Sequence, residues 1–163
     1  MNTAQERARE VRLRHNLQSP SDLERVLAAE NMEVIRFPLE GRLDEIIVYN
    51  FVAIRDSIED PRKVFELLAH ALAHHLLHAG NQMSFILPSH ILLSDQMERQ
   101  AWDFAFELLM PAALIEARLR EGWGHADLQE DFQVRAEFVQ RRLEAFRRDY
   151  EMEHLNRKFP EVW

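Results

Sequence analysis

One long apolar segment constrains the fold of this chain more than any other. Asp60 and Pro61 are typical of the start of a helix, and the run RKVFELLAHALAHHLLHAG that follows them keeps a helical pattern up to Gly80. The sequence therefore predicts a helix that opens at Asp60 and Pro61 and is capped by Gly80. Because most of its surface is apolar, neighbouring elements have to cover it, so this helix is expected to lie against the core.

Two histidines share one face of this predicted helix. His70 and His74 are four residues apart, which places their imidazoles about 6 Å apart along the helix axis and within reach of one zinc ion. The chain has no cysteine, so any metal has to be held by histidine or carboxylate side chains. Taken alone, the pair is better explained as two packed, hydrogen-bonded core histidines, and only a third ligand favours the metal site.

A candidate for the third ligand lies in the next predicted helix. The stretch DQMERQAWDFAFELLM has a helical pattern that Pro111 interrupts, and its apolar surface is expected to face the histidine helix. Glu98 stands near the start of this stretch. It is therefore the carboxylate that can complete a site with the two histidines.

The remaining elements predict an α+β protein. Helical spacing recurs in residues 3–15 and in LERVLAAEN, whereas MEVIRFPL and EIIVYNFVAI are typical of strands around a turn near Gly41. We expect a small antiparallel sheet packed beside the histidine helix. Residues 81–94 are expected to be irregular because they contain a proline, and AALIEARLREG and the C-terminal part of the chain are again helical. The predicted fold is therefore mostly helical.

The block LLAHALAHHLLH, followed by ERQAWDFAFELLMP, resembles the ImmA/IrrE family of zinc metallopeptidases. That family has an HExxH helix and then a helix with the pattern E-x-x-A-N-x-F-A-x-E-L-L-M-P, and the order of the upstream elements is similar too. The resemblance implies a zincin-like fold with zinc as the cofactor. It also makes His70, His74 and Glu98 the three protein ligands, with a fourth position left for water or substrate.

The residue after the first histidine departs from the family pattern. In zinc peptidases of this type a glutamate there takes a proton from the metal-bound water, but this chain has Ala71, whose methyl group cannot. The resemblance therefore implies impaired or absent proteolysis, through natural divergence or a deliberate inactivating substitution. His75 shares a helical face with Ala71 and is the candidate surrogate base. The alternative for His75 is that it caps polar groups or faces solvent.

Two further residues bear on the site. His78 lies two turns beyond His70, about 12 Å along the axis, so we expect it to be packed rather than to bind the same ion. Trp102 stands where the family has a small amide residue. A hydrogen bond that orients a ligand is therefore expected to be missing.

Length and composition indicate a globular protein. With 163 residues and 47% hydrophobic content, the sequence predicts one domain over residues 1–163. It contains neither a signal-peptide pattern nor a stretch of about 20 apolar residues that could span a bilayer. We therefore expect a soluble, cytoplasmic protein.

Charge and resemblance together bear on the partner. A formal charge of −8 argues against broad binding to nucleic acid. Five arginines near the C-terminus form a local basic cluster: Arg135, Arg141, Arg142, Arg147 and Arg148. Nucleic-acid binding through this cluster is the alternative, and a solvated amphipathic face explains the cluster more simply. The resemblance implies a repressor-type transcription regulator as the protein substrate or partner. The alternative is a catalytically silent zincin-fold module that binds such a regulator without cutting it.

Overall fold

The computed structural model of the chain describes residues 3–78 and 91–158. Within these residues the predicted α+β class is confirmed, with helices dominating and a single short helical turn of the 3-10 type preceding α2. The elements follow one another as α1 Thr3–Arg14, α2 Leu23–Ala29, β1 Glu33–Phe37, β2 Glu45–Val48, β3 Phe51–Arg55, α3 Pro61–Leu77, α4 Ile91–Leu109, α5 Ala112–Arg120, α6 His125–Phe132 and α7 Ala136–Lys158.

Helix α3 is the apolar histidine helix, and it begins where the sequence predicts. The Asp60 side chain accepts a hydrogen bond of 2.9 Å from the backbone N–H of Arg62, and Pro61 occupies the first turn, where its missing N–H has no cost. The helix ends at Leu77 with His78 as its C-cap. The predicted cap Gly80 lies outside the described residues.

Helix α4 packs along α3 and buries its own apolar face against it. The helix begins at Ile91, so the prediction of irregular structure up to residue 94 is wrong for its last four residues, while residues 81–90 lie outside the described part of the chain. Once past the proline, the chain regains regular spacing and can form helical hydrogen bonds again. The two helices provide a closely packed pair on which a site can be built.

The sheet is mixed rather than purely antiparallel, which corrects the prediction. The run EIIVYNFVAI forms two strands, β2 and β3, because Tyr49 adopts a left-handed backbone at φ 54° and makes a two-residue turn with Asn50. Strand β1 pairs in parallel with β3 instead of with β2. The strand order is therefore β1-β3-β2, and the chain from β1 through the Gly41 turn leads to the far edge of the sheet.

The register of the sheet determines which side chains face α3. Val52 and Ile54 of β3 are fully buried, and β3 contacts α3. Glu45 of β2 is aligned with Ile54 and thus lies on the same, inward face. A carboxylate on an edge strand is thereby directed at the histidine helix.

A buried ion-pair network fixes the end of α4. Glu107 and Arg142 are each 1% exposed, and Glu107 Oε2 lies 2.7 Å from the guanidinium of Arg142 on α7. The same carboxylate accepts hydrogen bonds from Arg9 on α1 and from the backbone N–H of Ala112. These contacts hold the turn at Pro111 and join α1, α4 and α7.

The described residues include no helix that is both long and apolar enough to cross a membrane.

Candidate metal centre

The two predicted histidine ligands lie side by side in the interior. His70 and His74 are 5% and 2% exposed, and their Nε2 atoms are 3.3 Å apart. Their rings meet edge to face, with centroids 4.6 Å apart and an angle of 81° between the planes. The helical spacing therefore brings one nitrogen of each ring to a common point, as the sequence predicts.

Glu98 approaches this point from α4. Its Oε2 lies 3.1 Å from His70 Nε2 and its Oε1 lies 3.0 Å from His74 Nε2. Each of the three residues offers a ligand atom, and these atoms all lie within 4.8 Å of one another. The Glu98 side chain is 40% exposed, so solvent reaches the site from the side of α4.

The spacing of the three donors fits a tetrahedral zinc ion. Bonds of about 2.0–2.1 Å with tetrahedral angles place neighbouring ligand atoms about 3.3 Å apart. The two Nε2 atoms are 3.3 Å apart, and each lies close to a different oxygen of Glu98, His74 at 3.0 Å from Oε1 and His70 at 3.1 Å from Oε2. Two imidazoles and one carboxylate are also a donor set that zinc accepts, and they leave one coordination position open. These residues could hold a zinc ion without rearrangement of the backbone.

Without a metal, the three side chains interact with one another as acids and bases. Burial lowers the pKa of His70, but hydrogen bonds to Glu45 and Glu98 outweigh this and raise it to about 9. For Glu98, burial favours the neutral form, yet hydrogen bonds to both histidines depress the pKa of its carboxyl well below the usual range. The ligand positions are therefore held together by charge and hydrogen bonds before any metal binds.

Glu45 is a part of the site that the sequence does not reveal. Its Oε1 lies 2.5 Å from Nδ1 of His70, on the opposite side of the imidazole from Glu98. The only signal in the sequence is a charged residue at an alternating strand position shared with apolar Ile47, and the direction of that face depends on the sheet register. The carboxylate therefore becomes a candidate only once the strand is placed against α3.

Trp102 forms one wall of the site. Its indole stacks on the His70 imidazole with ring centroids 4.4 Å apart, and the guanidinium of Arg141 lies 4.2 Å from the centre of the indole. The amide expected from the family pattern is thus replaced by an aromatic surface that restrains the His70 ring by contact rather than by a hydrogen bond. Trp102 and Arg141 also line an open groove of about 680 Å³ that adjoins Glu98.

The two residues assigned to proton transfer lie next to the histidine ligands along α3 but are not part of the three-residue cluster. Ala71 is fully buried in the core. His75 directs Nε2 to the backbone carbonyl of Glu30, 3.1 Å away at the end of α2, and it is not part of the metal-ligand cluster. This geometry favours the alternative in which His75 caps a polar group. His78 is packed as predicted, and its Nε2 donates to the Met97 carbonyl at 3.2 Å.

The basic cluster near the C-terminus, with Arg135 just before α7 and the other arginines on it, is divided among different environments. Arg142 is buried against Glu107, and Arg135 forms an ion pair with Glu66 of α3 through contacts of 2.6 and 2.9 Å. Arg141 is stacked on Trp102. These three guanidinium groups support the packing of α7 and do not form a continuous exposed stripe.

A mixed sheet lies against a helix with paired histidines, and the next helix contributes a carboxylate to the same point, so the fold is of the α+β, zincin-like class. Sequence comparison assigns the family within that class. Residues 20–144 match the peptidase M78 family, described as the IrrE N-terminal-like domain, and the chain belongs to this ImmA/IrrE family of metallopeptidases. No curated protein matches the chain.

Proposed function

We propose that this chain binds one zinc ion through His70, His74 and Glu98 and acts on a repressor-type regulatory protein, with impaired proteolysis. The observation that carries the proposal is the convergence of three side chains: the two Nε2 atoms are 3.3 Å apart, close to the spacing of ligands in tetrahedral zinc, and each lies 3.0–3.1 Å from an oxygen of the Glu98 carboxylate. Membership of a metallopeptidase family supports the same use of the site. Ala71 is the reason for expecting weak cleavage.

The chemistry of the site separates metal binding from proton transfer. Zinc at such a site polarises a carbonyl group and lowers the pKa of bound water to about 7. His70 and His74 provide fixed nitrogen donors, and Glu98 contributes the anionic oxygen. A peptidase then needs a group that accepts a proton from water and passes it to the leaving amine, a step worth roughly 10²- to 10⁴-fold in rate. Ala71 cannot perform this step.

Neither Glu45 nor His75 occupies the place of the missing base. Glu45 contacts the nitrogen of His70 that faces away from the three-donor point. His75 is bound to the carbonyl of Glu30. We therefore expect the chain with Ala71 to cut slowly or not at all.

A polypeptide partner is supported by the groove beside the site. It adjoins Glu98 and offers both an aromatic surface at Trp102 and Phe106 and a cation at Arg141. An open groove with apolar and charged walls can accommodate an extended segment of another protein. The ImmA/IrrE resemblance supports a repressor-type regulator as the source of that segment.

Metal analysis tests the proposed site. The full chain is stripped with a chelator, reloaded with zinc and desalted, and its zinc content is measured beside that of His70→Ala. His125→Ala is the matched control because His125 is exposed at the start of α6, away from the donors. We expect about one zinc per chain in the parent and the control and a large loss in His70→Ala. Equal, negligible zinc in all three would refute the proposal.

A second candidate function is a silent binding module, and Ala71 is the observation that favours it. Such a module would keep the zinc and the groove and bind the regulator without cutting it. The two candidates differ in whether the site regains cleavage when a base is restored at position 71.

A further inference from the structure

We propose that Glu45 is a positioning residue of the metal site, which holds the imidazole of His70 in the orientation and tautomer that zinc requires. This inference rests on the proposed zinc site. The residue lies on the edge strand β2, 25 positions before His70, and the sequence pattern does not connect the two. In the folded protein, one hydrogen bond connects Glu45 to His70.

The hydrogen bond determines the tautomer of His70. Glu45 Oε1 lies 2.5 Å from Nδ1, and an ionised carboxylate can only accept, so Nδ1 carries the proton. In the neutral ring, the form that binds a metal, Nε2 is then left with its lone pair directed at the point shared with His74 and Glu98. A carboxylate behind a metal-bound histidine also increases the basicity of the ligand nitrogen. Glu45 therefore acts on the metal through His70.

Burial makes this hydrogen bond effective. The side chains of Glu45 and His70 are only 16% and 7% exposed, so water competes little for either partner. The second oxygen of Glu45, Oε2, is buried and has no hydrogen-bond partner among the described residues. A carboxylate is costly to bury, and within residues 3–78 and 91–158 the one hydrogen-bond partner of the Glu45 side chain is His70. The buried carboxylate of Glu45 therefore serves to hold the His70 ring, and in the part of the chain that the structure describes it adds no hydrogen bond that would stabilise β2.

The same geometry argues against Glu45 as the missing base. Its carboxylate contacts Nδ1, whereas the other two donors gather around Nε2 on the far side of the ring. A general base has to come within hydrogen-bond distance of the water that it activates. Glu45 is separated from that position by the width of the imidazole.

A neighbouring acid provides the matched control. Asp44 precedes Glu45 on the chain and lies 2.6 Å from Lys63 in the first turn of α3, with a further contact to Arg55. Asp44 therefore also ties β2 to α3, but it does not touch His70. Asp44→Asn removes one acid and one contact between strand and helix while leaving the histidine intact.

The experiment is a competitive zinc titration of the full chain against a chromophoric chelator, with Glu45→Ala, Glu45→Gln, Asp44→Asn and the parent compared. We expect Glu45→Ala to weaken zinc affinity by roughly 10- to 100-fold. Glu45→Gln should fall between it and the parent, because an amide oxygen still accepts from Nδ1–H but carries no charge. Asp44→Asn should bind zinc like the parent, and melting of the metal-free proteins shows which variants remain folded.

The outcomes separate this inference from the proposed function. If the parent binds zinc and both Glu45 variants match it, Glu45 is not a positioning residue, although the zinc site stands. If Asp44→Asn loses as much affinity as Glu45→Ala, the effect comes from docking of the strand, and the inference is again wrong. If the parent itself binds no zinc, the proposed function fails and this inference fails with it. Should Glu45→Ala not fold, Glu45→Gln decides the question.

Discussion

Restoring a glutamate at position 71 tests how much of a peptidase remains in this chain. In Ala71→Glu the two histidines and Glu98 are unchanged, so zinc content should stay at about one per chain. The new carboxylate returns the group that accepts a proton from water. General-base catalysis is worth roughly 10²- to 10⁴-fold, which corresponds to about 2.7–5.5 kcal/mol of the activation barrier.

The burial of Ala71 means that the gain in cleavage rate is accompanied by a loss of stability. Ala71 is 0% exposed and belongs to the core, so a longer side chain has to displace its neighbours or turn towards the metal site. Inserting extra atoms into a packed core typically costs about 1–3 kcal/mol of unfolding free energy. We therefore expect Ala71→Glu to melt at a lower temperature than the parent and yet to cut at least about 10²-fold faster.

Ala71→Gln is the control for that cost. Glutamine has almost the same size and is buried to the same degree, but it cannot accept the proton. The assay uses a repressor-type protein that binds the parent chain, and cleavage is followed by electrophoresis and mass spectrometry at equal zinc loading. Ala71→Gln should lose stability without a gain in rate.

Two results would contradict the reasoning. If the partner binds and Ala71→Glu cuts no faster than Ala71→Gln, the site lacks more than a base, and the silent binding module is the better account. The next substitution to test would then be Trp102→Asn, which replaces the indole stacked on His70 with the small amide residue of the family pattern. If the parent already cuts efficiently, the premise that Ala71 impairs proteolysis is wrong, and loss of that activity in His75→Ala would identify the surrogate base.

Two predictions concern the protein without its metal. Glu107→Ala leaves Arg142 buried without its carboxylate and should lower the free energy of unfolding by about 3–5 kcal/mol in urea titrations, whereas Glu116→Ala removes an exposed ion pair and should change it by less than about 1 kcal/mol. Equal effects of the two would refute the importance of the buried network. The second concerns pH: the pKa of His70 rises from 6.5 to about 9 on folding, so the protonated ring stabilises the metal-free protein fully below pH 6.5, and this contribution is lost as the pH rises through 9. Urea titrations between pH 6 and 10 should show this fall in the chelated parent and not in His70→Ala; parallel pH profiles would contradict it.

The local parts of the site could be predicted because their causes lie within a few residues. A side-chain carboxylate and a proline start α3, and a spacing of four places His70 and His74 on one face, whatever surrounds the helix. Glu98 was predictable because an apolar face and the ELLMP block indicate that the next helix packs on α3. The expectation of impaired proteolysis likewise depends on one position, Ala71.

Other features were decided only when distant segments came together. Whether β1 pairs with β2 or with β3 depends on which pairing forms the backbone hydrogen bonds and also buries the apolar face of the sheet. The alternation of apolar and polar residues along β1 is compatible with either pairing, so it does not decide between them. The register that directs Glu45 at His70 follows from that choice. His75 shares a helical face with Ala71, yet the end of α2 supplies a carbonyl that binds its ring. Sequence periodicity determines which face a side chain occupies, and tertiary packing determines what that face meets.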